Sequence, residues 1–146
     1  NKEIISHTSY NVINERGNKI SSRKSKKTLT FNEIIKSCDV GLSTVMINLQ
    51  FLKKHKLFFP KLKTKEDYVL WLKILKIIPN MKGLDKNLTN YRKRKNSLSS
   101  KNITNIINGY LVYRVYLKMN FMQSFYRLLI LSLNFLRKKI KYDFNF

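Results

Sequence analysis

Thr64-Lys65-Glu66-Asp67-Tyr68-Val69-Leu70-Trp71-Leu72-Lys73 sets two adjacent carboxylates in front of an apolar helical pattern that carries the chain's only Trp. Leu70, Ile74 and Ile77 recur at helical spacing, joined by Trp71, Leu75 and Ile78. With Thr64 as N-cap, the spacing predicts a helix over Lys65 to Ile77, closed by Pro79 and Gly83. A carboxylate in the first turn of a helix is held as an anion by free N–H groups and the helix dipole. Asp67 is therefore expected to be ionised at neutral pH and able to accept a proton. The same acids serve equally well as plain helix caps.

Acids are scarce elsewhere. The 146 residues hold 30 Lys and Arg against 8 Asp and Glu, a formal net charge of +22. Such an excess attracts polyanions: nucleic acid, anionic lipid or phosphorylated substrates. Most of it is Lys, in a chain rich in Asn and Ile and without Ala. That is the signature of A/T-rich codons, which supply Lys without selection for a partner. The cations are spread along the chain rather than clustered. Charge and interspersed Tyr and Phe are what speak for the alternative reading, a ribosomal-type nucleic-acid-binding protein.

The length suits one domain with a real core. A single cysteine, Cys38, excludes an internal disulfide and a Cys-based zinc site, and a reducing compartment is the simplest reading. Cys38 itself reads as a small buried hydrophobe. His7 and His55 are isolated and read as structural or surface residues. Arg16 and Lys19 interrupt any signal-peptide core in residues 1 to 20. A start at Asn1 fits a processed protein or a piece of a longer chain. The late apolar run from Leu128 to Leu136 is far short of the roughly 20 residues that a membrane span needs.

Outward from the acidic pair, Ile5 to Ile13 reads as a strand, Asn14 to Asn18 as a turn, and Lys19 to Ser22 as the returning strand. Thr30-Phe31-Asn32-Glu33 has capping-box spacing and predicts a short helix over Phe31 to Ser37. Ser43 to Ile47 reads as a buried strand and Leu49 to Lys56 as a short basic helix. Leu88 to Arg94 reads as a strand running into a basic loop. A helix capped by Ser99 or Ser100 is expected to reach about Met119, and another to run from about Met122 to Lys141. This order suggests an α/β (α+β) fold with a mixed sheet, flanking helices and a helical tail. The tail from Ile103 to Lys141 mixes apolar side chains with Arg114, Lys118, Arg127 and the run Arg137-Lys138-Lys139-Ile140-Lys141. Such helices lie on anionic membranes or pack an apolar stripe against protein.

Ser6-His7-Thr8-Ser9-Tyr10, Cys38 to Met46, Glu66-Asp67-Tyr68-Val69-Leu70-Trp71-Leu72 and Tyr91 to Ser99 occur in that order. The ordered set resembles the carboxyl-terminal half of bacterial family-two glycosyltransferases of the GT-A fold, of the cell-surface polysaccharide type. The resemblance runs from about Ile5 to Arg137. It implies an inverting transfer of sugar from a sugar nucleotide to a glycan or lipid-linked acceptor. It places the catalytic base on Asp67, with Glu66 binding the acceptor or orienting the site. It further implies a donor-diphosphate contact from Arg92, Arg94 and Ser97 in the basic loop, which reads otherwise as a solvated loop. Trp71, one helical turn after Asp67, would stack on an acceptor sugar or else sit in the core. The family's divalent metal, Mg or Mn, is held by an Asp-x-Asp motif. That motif is not found here, so the metal site is expected in a nucleotide-binding half absent from this chain. On that basis residues 1–100 are the acceptor-side part of a catalytic domain, inactive alone, and 101–146 a basic amphipathic tail. The setting implied is cytoplasmic, peripheral on the inner face of the cell membrane.

Overall fold

The computed structural model describes residues 3–94 and 102–143. Its elements are β1 (Ile5–Ile13), β2 (Lys19–Arg23), β3 (Thr28–Leu29), α1 (Phe31–Ile34), a 3-10 turn (Leu42–Thr44), β4 (Val45–Ile47), α2 (Leu49–Lys54), α3 (Glu66–Leu75), β5 (Met81–Arg92), α4 (Asn102–Leu111), a π-helical turn (Val112–Tyr116) and α5 (Phe121–Asp143). The fold is mixed α/β around a mixed sheet of order β2-β1-β5-β3, with β4 also pairing with β1.

Strand β1 is the axis of the sheet. It pairs antiparallel with β2 and with β4, and parallel with β5, where the register shifts on either side of Ser9. The β1–β2 turn closes through Gly17 at φ +91°, a left-handed conformation that glycine adopts without a Cβ penalty. The capping box of α1 forms as its spacing predicts: the Thr30 N–H donates to Glu33 Oε2 at 3.0 Å. The helix itself is shorter than expected, ending before Ile35.

Three expectations are corrected. Residues 43–47 split into the 3-10 turn and β4, and Met46 is 76% exposed, so this is an edge strand rather than a buried one. Lys65, at φ +71°, caps α3 in place of Thr64, whose hydroxyl instead accepts from Asn108 of α4 at 2.9 Å. Gly83 does not end an element but lies inside β5. A Cβ there would meet the Lys26 carbonyl oxygen at 1.9 Å, so a side chain is excluded by the close approach of the segment leading into β3.

Helix α3 is the centre of the core. Tyr68, Val69, Leu70, Trp71, Leu72, Ile74 and Leu75 are all buried on it, joined by Ile5, Ile34, Ile35 and Met81. The tail shares this core through Val112, Tyr113, Leu117 and Leu131. The phenol oxygens of Tyr68 and Tyr113 lie 3.0 Å apart, and their two protons serve the carbonyls of Ile34 and Ile35 at the end of α1. Burial pushes both phenols up, Tyr113 to about 12. Helix α5 starts with a reciprocal cap between Asn120 and Gln123 and is tied to the loop after α1 by Asn134, which donates to the Lys36 carbonyl at 2.9 Å. Its Lys138 pairs with Asp39 and Ser37. Along Leu84–Arg92, β5 has no described strand on the side away from β1.

Substituting Gly83→Ala forces backbone apart where β5 meets the β2–β3 connection. The expected loss is about 2–3 kcal/mol in urea unfolding, the scale of an overpacked interior site. A loss below about 0.5 kcal/mol would mean that this close approach is not a feature of the fold.

Candidate functional site

Glu66 and Asp67 open α3 at the mouth of a cleft of about 470 Å³. Strand β1 contributes Tyr10, β5 contributes Thr89 and Tyr91, and the turn after α1 contributes Gly41 to Thr44. Lys63, Thr64 and Lys65 complete the wall beside the acids. Alternation explains why these strand residues meet. Ile5, His7 and Ser9 are the buried face of β1, which leaves Tyr10 on the other face, and Tyr10 pairs in register with Thr89. The Tyr10 and Tyr91 rings meet edge to face, 6.3 Å between centroids. Thr89 reaches across to the Ser43 carbonyl at 3.5 Å, a long contact that closes one end.

The electrostatics of the acid pair differ from the dipole expectation. Burial pushes the Asp67 carboxyl above its ordinary value, and the adjacent Glu66 charge pushes the same way. The Tyr68 N–H, donating to Asp67 Oδ1 at 2.7 Å, and Lys65 oppose this without cancelling it. A carboxylate so placed is a better proton acceptor than a fully solvated one. Glu66 Oε2 is buried without a hydrogen-bond partner. Glu66 also lines the cleft, and a carboxylate with an unmet acceptor suits a hydroxyl-bearing ligand. Lys65, left-handed immediately before the pair, holds a conformation that costs a β-carbon-bearing residue about 1 kcal/mol or more. Asn108 braces the same segment from α4.

The cleft thus gathers Glu66 and Asp67 but not the other expected site residues. Trp71 is corrected: it is fully buried, packed edge to face against Phe59 at 6.3 Å, and cannot stack on a sugar. Arg92 is spent on structure, its Nη1 donating to the carbonyls of Asn14 and Glu15 at 3.1 and 2.8 Å, which ties the end of β5 to the β1–β2 turn. Arg94 lies with Lys93 and Arg16 around a separate cavity of about 440 Å³ beside that turn. Ser97 and the expected helix cap at Ser99 or Ser100 lie outside the described residues. His7 is buried with Nε2 unpartnered beside Gly83, and burial lowers its pKa, which favours the neutral ring. His55 packs on Phe51. Burial pushes the Cys38 thiol up to about 12, so it remains protonated at neutral pH. Among the described residues, no group of three or more His, Cys, Asp or Glu could hold a metal ion. No described helix is long and apolar enough to cross a membrane. The aromatic wall of Tyr10 and Tyr91 was missed by motif reading. Period-two alternation along β1 was its available signal, but the pairing of β1 with β5 was not written locally.

No protein-family model matches the sequence. Over 94 residues, 63% of this chain, it is 36% identical to an uncharacterized glycosyltransferase of Rickettsia felis, covering 15% of that protein. A second uncharacterized glycosyltransferase, from Rickettsia conorii, is 35% identical over the same length, again covering 15% of the protein. Over 137 residues, 93% of this chain, the sequence is 25% identical to a Bacillus subtilis protein named as the teichuronic acid biosynthesis glycosyltransferase TuaG, covering 54% of it. The chain therefore spans about half the length of the Bacillus relative and a smaller part of the Rickettsia ones. All three proteins it resembles are named as glycosyltransferases.

The raised Asp67 pKa carries a sign. Its contribution to stability is fully present below the ordinary value of 3.8 and is lost as pH rises through the folded-state value. Asp67→Asn keeps an acceptor for the Tyr68 N–H and removes the ionised form. The variant is expected to melt higher than the parent at pH 7, with the gap closing as pH falls toward 3.8. A variant that melts lower at pH 7 would show that the carboxylate is stabilised rather than desolvated in the fold.

Proposed function

We propose that the Glu66–Asp67 cleft binds the acceptor in an inverting glycosyl transfer from a sugar nucleotide, the chain forming the acceptor side of a family-two, GT-A type domain. The observation that carries this reading is the pairing of a desolvated Asp67 with the unpartnered Glu66 Oε2 beside an aromatic wall. A saccharide presents hydroxyls to carboxylates and a ring face to aromatics, and the cleft offers both. The names of the relatives, and of TuaG in particular, support a glycan or lipid-linked acceptor in cell-surface polysaccharide assembly.

In this reading the acceptor hydroxyl gives its proton to the Asp67 carboxylate as its oxygen bonds to the anomeric carbon from the face opposite the leaving group. The bond from that carbon to the diphosphate oxygen breaks, and the nucleoside diphosphate leaves with the electron pair. The transition state has oxocarbenium character, as in glycoside hydrolysis. The Glu66 carboxylate accepts a second acceptor hydroxyl and fixes which oxygen reaches Asp67. Tyr10 and Tyr91 present the aromatic surface for a sugar ring in the role that buried Trp71 cannot fill. The positive rim of Lys63 and Lys65 faces an anionic donor favourably. Among the described residues, no group of three or more His, Cys, Asp or Glu could hold the divalent metal that the resemblance implies.

The test is transfer by the complete protein, followed as nucleoside diphosphate released in the presence of acceptor. Asp67→Asn is expected to lower kcat by about 10²- to 10⁴-fold, the range for loss of a general base, with sugar-nucleotide affinity unchanged. Glu66→Gln and Tyr91→Ala are expected to raise KM for the acceptor more than they lower kcat. Turnover by Asp67→Asn within about threefold of the parent would rule out Asp67 as the base.

A further inference from the structure

We propose that the tail clamps the acid pair in its working geometry, with Asn108 of α4 as the positioning residue. The inference rests on the reading of the Glu66–Asp67 cleft as the acceptor site. Glu66 and Asp67 lie between two contacts that the tail makes with one short stretch of chain. Before the acids, Asn108 Nδ2 donates to Thr64 Oγ1 at 2.9 Å. After them, the phenol oxygens of Tyr113 and Tyr68 meet at 3.0 Å. Both contacts come from a single run of the tail, through α4 and the π-helical turn that follows it.

The stretch between the contacts needs an outside hold. Lys65 stands at φ +71°, a region that a residue with a Cβ disfavours, and its side chain makes no cap to α3. Relaxation of that residue would change the direction in which the chain enters α3, and the carboxylates would turn with it. Tyr68 cannot share the movement, because it is fully buried and donates to the carbonyls at the end of α1. The change would therefore fall on Thr64 to Asp67. Asn108 is well placed to prevent it. It is 8% exposed, and a buried amide requires partners of fixed direction. Its own position is set by the next residue: a Cβ on Gly109 would stand 3.1 Å from Leu128 Cδ1, so α4 lies close on α5 at this level. Helix α5 thus seats α4, α4 presents Asn108, and Asn108 holds the turn that aims the acids. A base displaced by about 1 Å can lose up to a hundredfold in rate, which is the reason for such a clamp.

Substitutions on both sides of the bond test this in the complete protein. Asn108→Leu and Thr64→Val keep similar volumes and remove the donor and the acceptor in turn. Each is expected to lower kcat at least about tenfold with the KM for sugar nucleotide unchanged. The double variant is expected to fall within about twofold of the weaker single one, because both remove the same bond. Thr64→Ser, which keeps the hydroxyl, is expected to recover most of the Thr64→Val loss. A second readout needs no turnover: the titration of Asp67 followed by carboxyl carbon NMR. Asn108→Leu is expected to move it toward the ordinary value by at least about half a pH unit, as water reaches the loosened turn. Losses that simply add in the double variant would overturn the clamp, as would an Asp67 titration and a kcat that both stay at the parent's values in Asn108→Leu. The two readings fail separately. An inactive Asp67→Asn beside a fully active Asn108→Leu would sink the clamp alone. An active Asp67→Asn beside a displaced Asp67 titration in Asn108→Leu would support the clamp and sink the assignment of the base.

Discussion

Two buried tyrosine hydroxyls hold this molecule in one arrangement. The short helix α1 ends inside the protein, where the Ile34 carbonyl accepts from the Ser37 N–H and both it and the Ile35 carbonyl face two tyrosine hydroxyls. Tyr68 of α3 and Tyr113 of the π-helical turn donate to these carbonyls. Each side chain arrives from a different part of the chain, so one polar cluster joins α1, α3 and the tail. Its loss would leave the Ile35 carbonyl without these donors, at about 1–3 kcal/mol. The position of the acid pair follows from it, because Asp67 immediately precedes Tyr68 and Glu66 precedes that. The π-helical turn has the same origin: an i+5 bond from Leu117 N–H to the Val112 carbonyl closes the segment that carries Tyr113 inward.

The overall charge and the local chemistry point in different directions, and the local chemistry carries the functional reading. A net charge of +22 would suggest a polyanion-binding surface throughout. Yet described ion pairs serve to dock elements: Lys26 with Glu33 beside the α1 cap, and Lys138 with Asp39 where α5 meets the loop. Near the acid pair, Lys65 lowers the Asp67 pKa less than burial raises it. Desolvation therefore decides the behaviour of the one carboxylate suited to take a proton, even in a chain crowded with cations.

Much of this was legible where the determinants are local. The strand from Ile5, the turn through Gly17, the Thr30–Glu33 box and the helical periodicity after Asp67 are each written within a few residues, and each forms as it reads. The failures have non-local causes. Thr64 has good capping chemistry, but its hydroxyl is taken by Asn108, 44 residues away, and the chain turns through a left-handed Lys65. Gly83 reads as a breaker, while its purpose is to let the Lys26 backbone pass. Trp71 shares a helical face with Asp67 on paper, but the burial of α3 on nearly every side encloses it. Tyr10 and Tyr91 become a wall only when β1 and β5 pair in parallel, a contact between strands 81 residues apart at those rings. Arg92 looks like a phosphate ligand until the carbonyls of Asn14 and Glu15 are seen to occupy it.

In the proposed reaction, Asp67 receives the proton of an acceptor hydroxyl in the cleft between Tyr10, Tyr91 and the Gly41–Thr44 turn. A crystal structure of the complete protein with an unreactive sugar-nucleotide analogue and a saccharide acceptor tests it most directly. An acceptor hydroxyl is expected within about 3 Å of an Asp67 carboxylate oxygen, facing the anomeric carbon, with a second hydroxyl donating to the Glu66 carboxylate. An acceptor seated instead in the Arg16–Lys93–Arg94 cavity, with the Glu66–Asp67 cleft left to solvent, would contradict it.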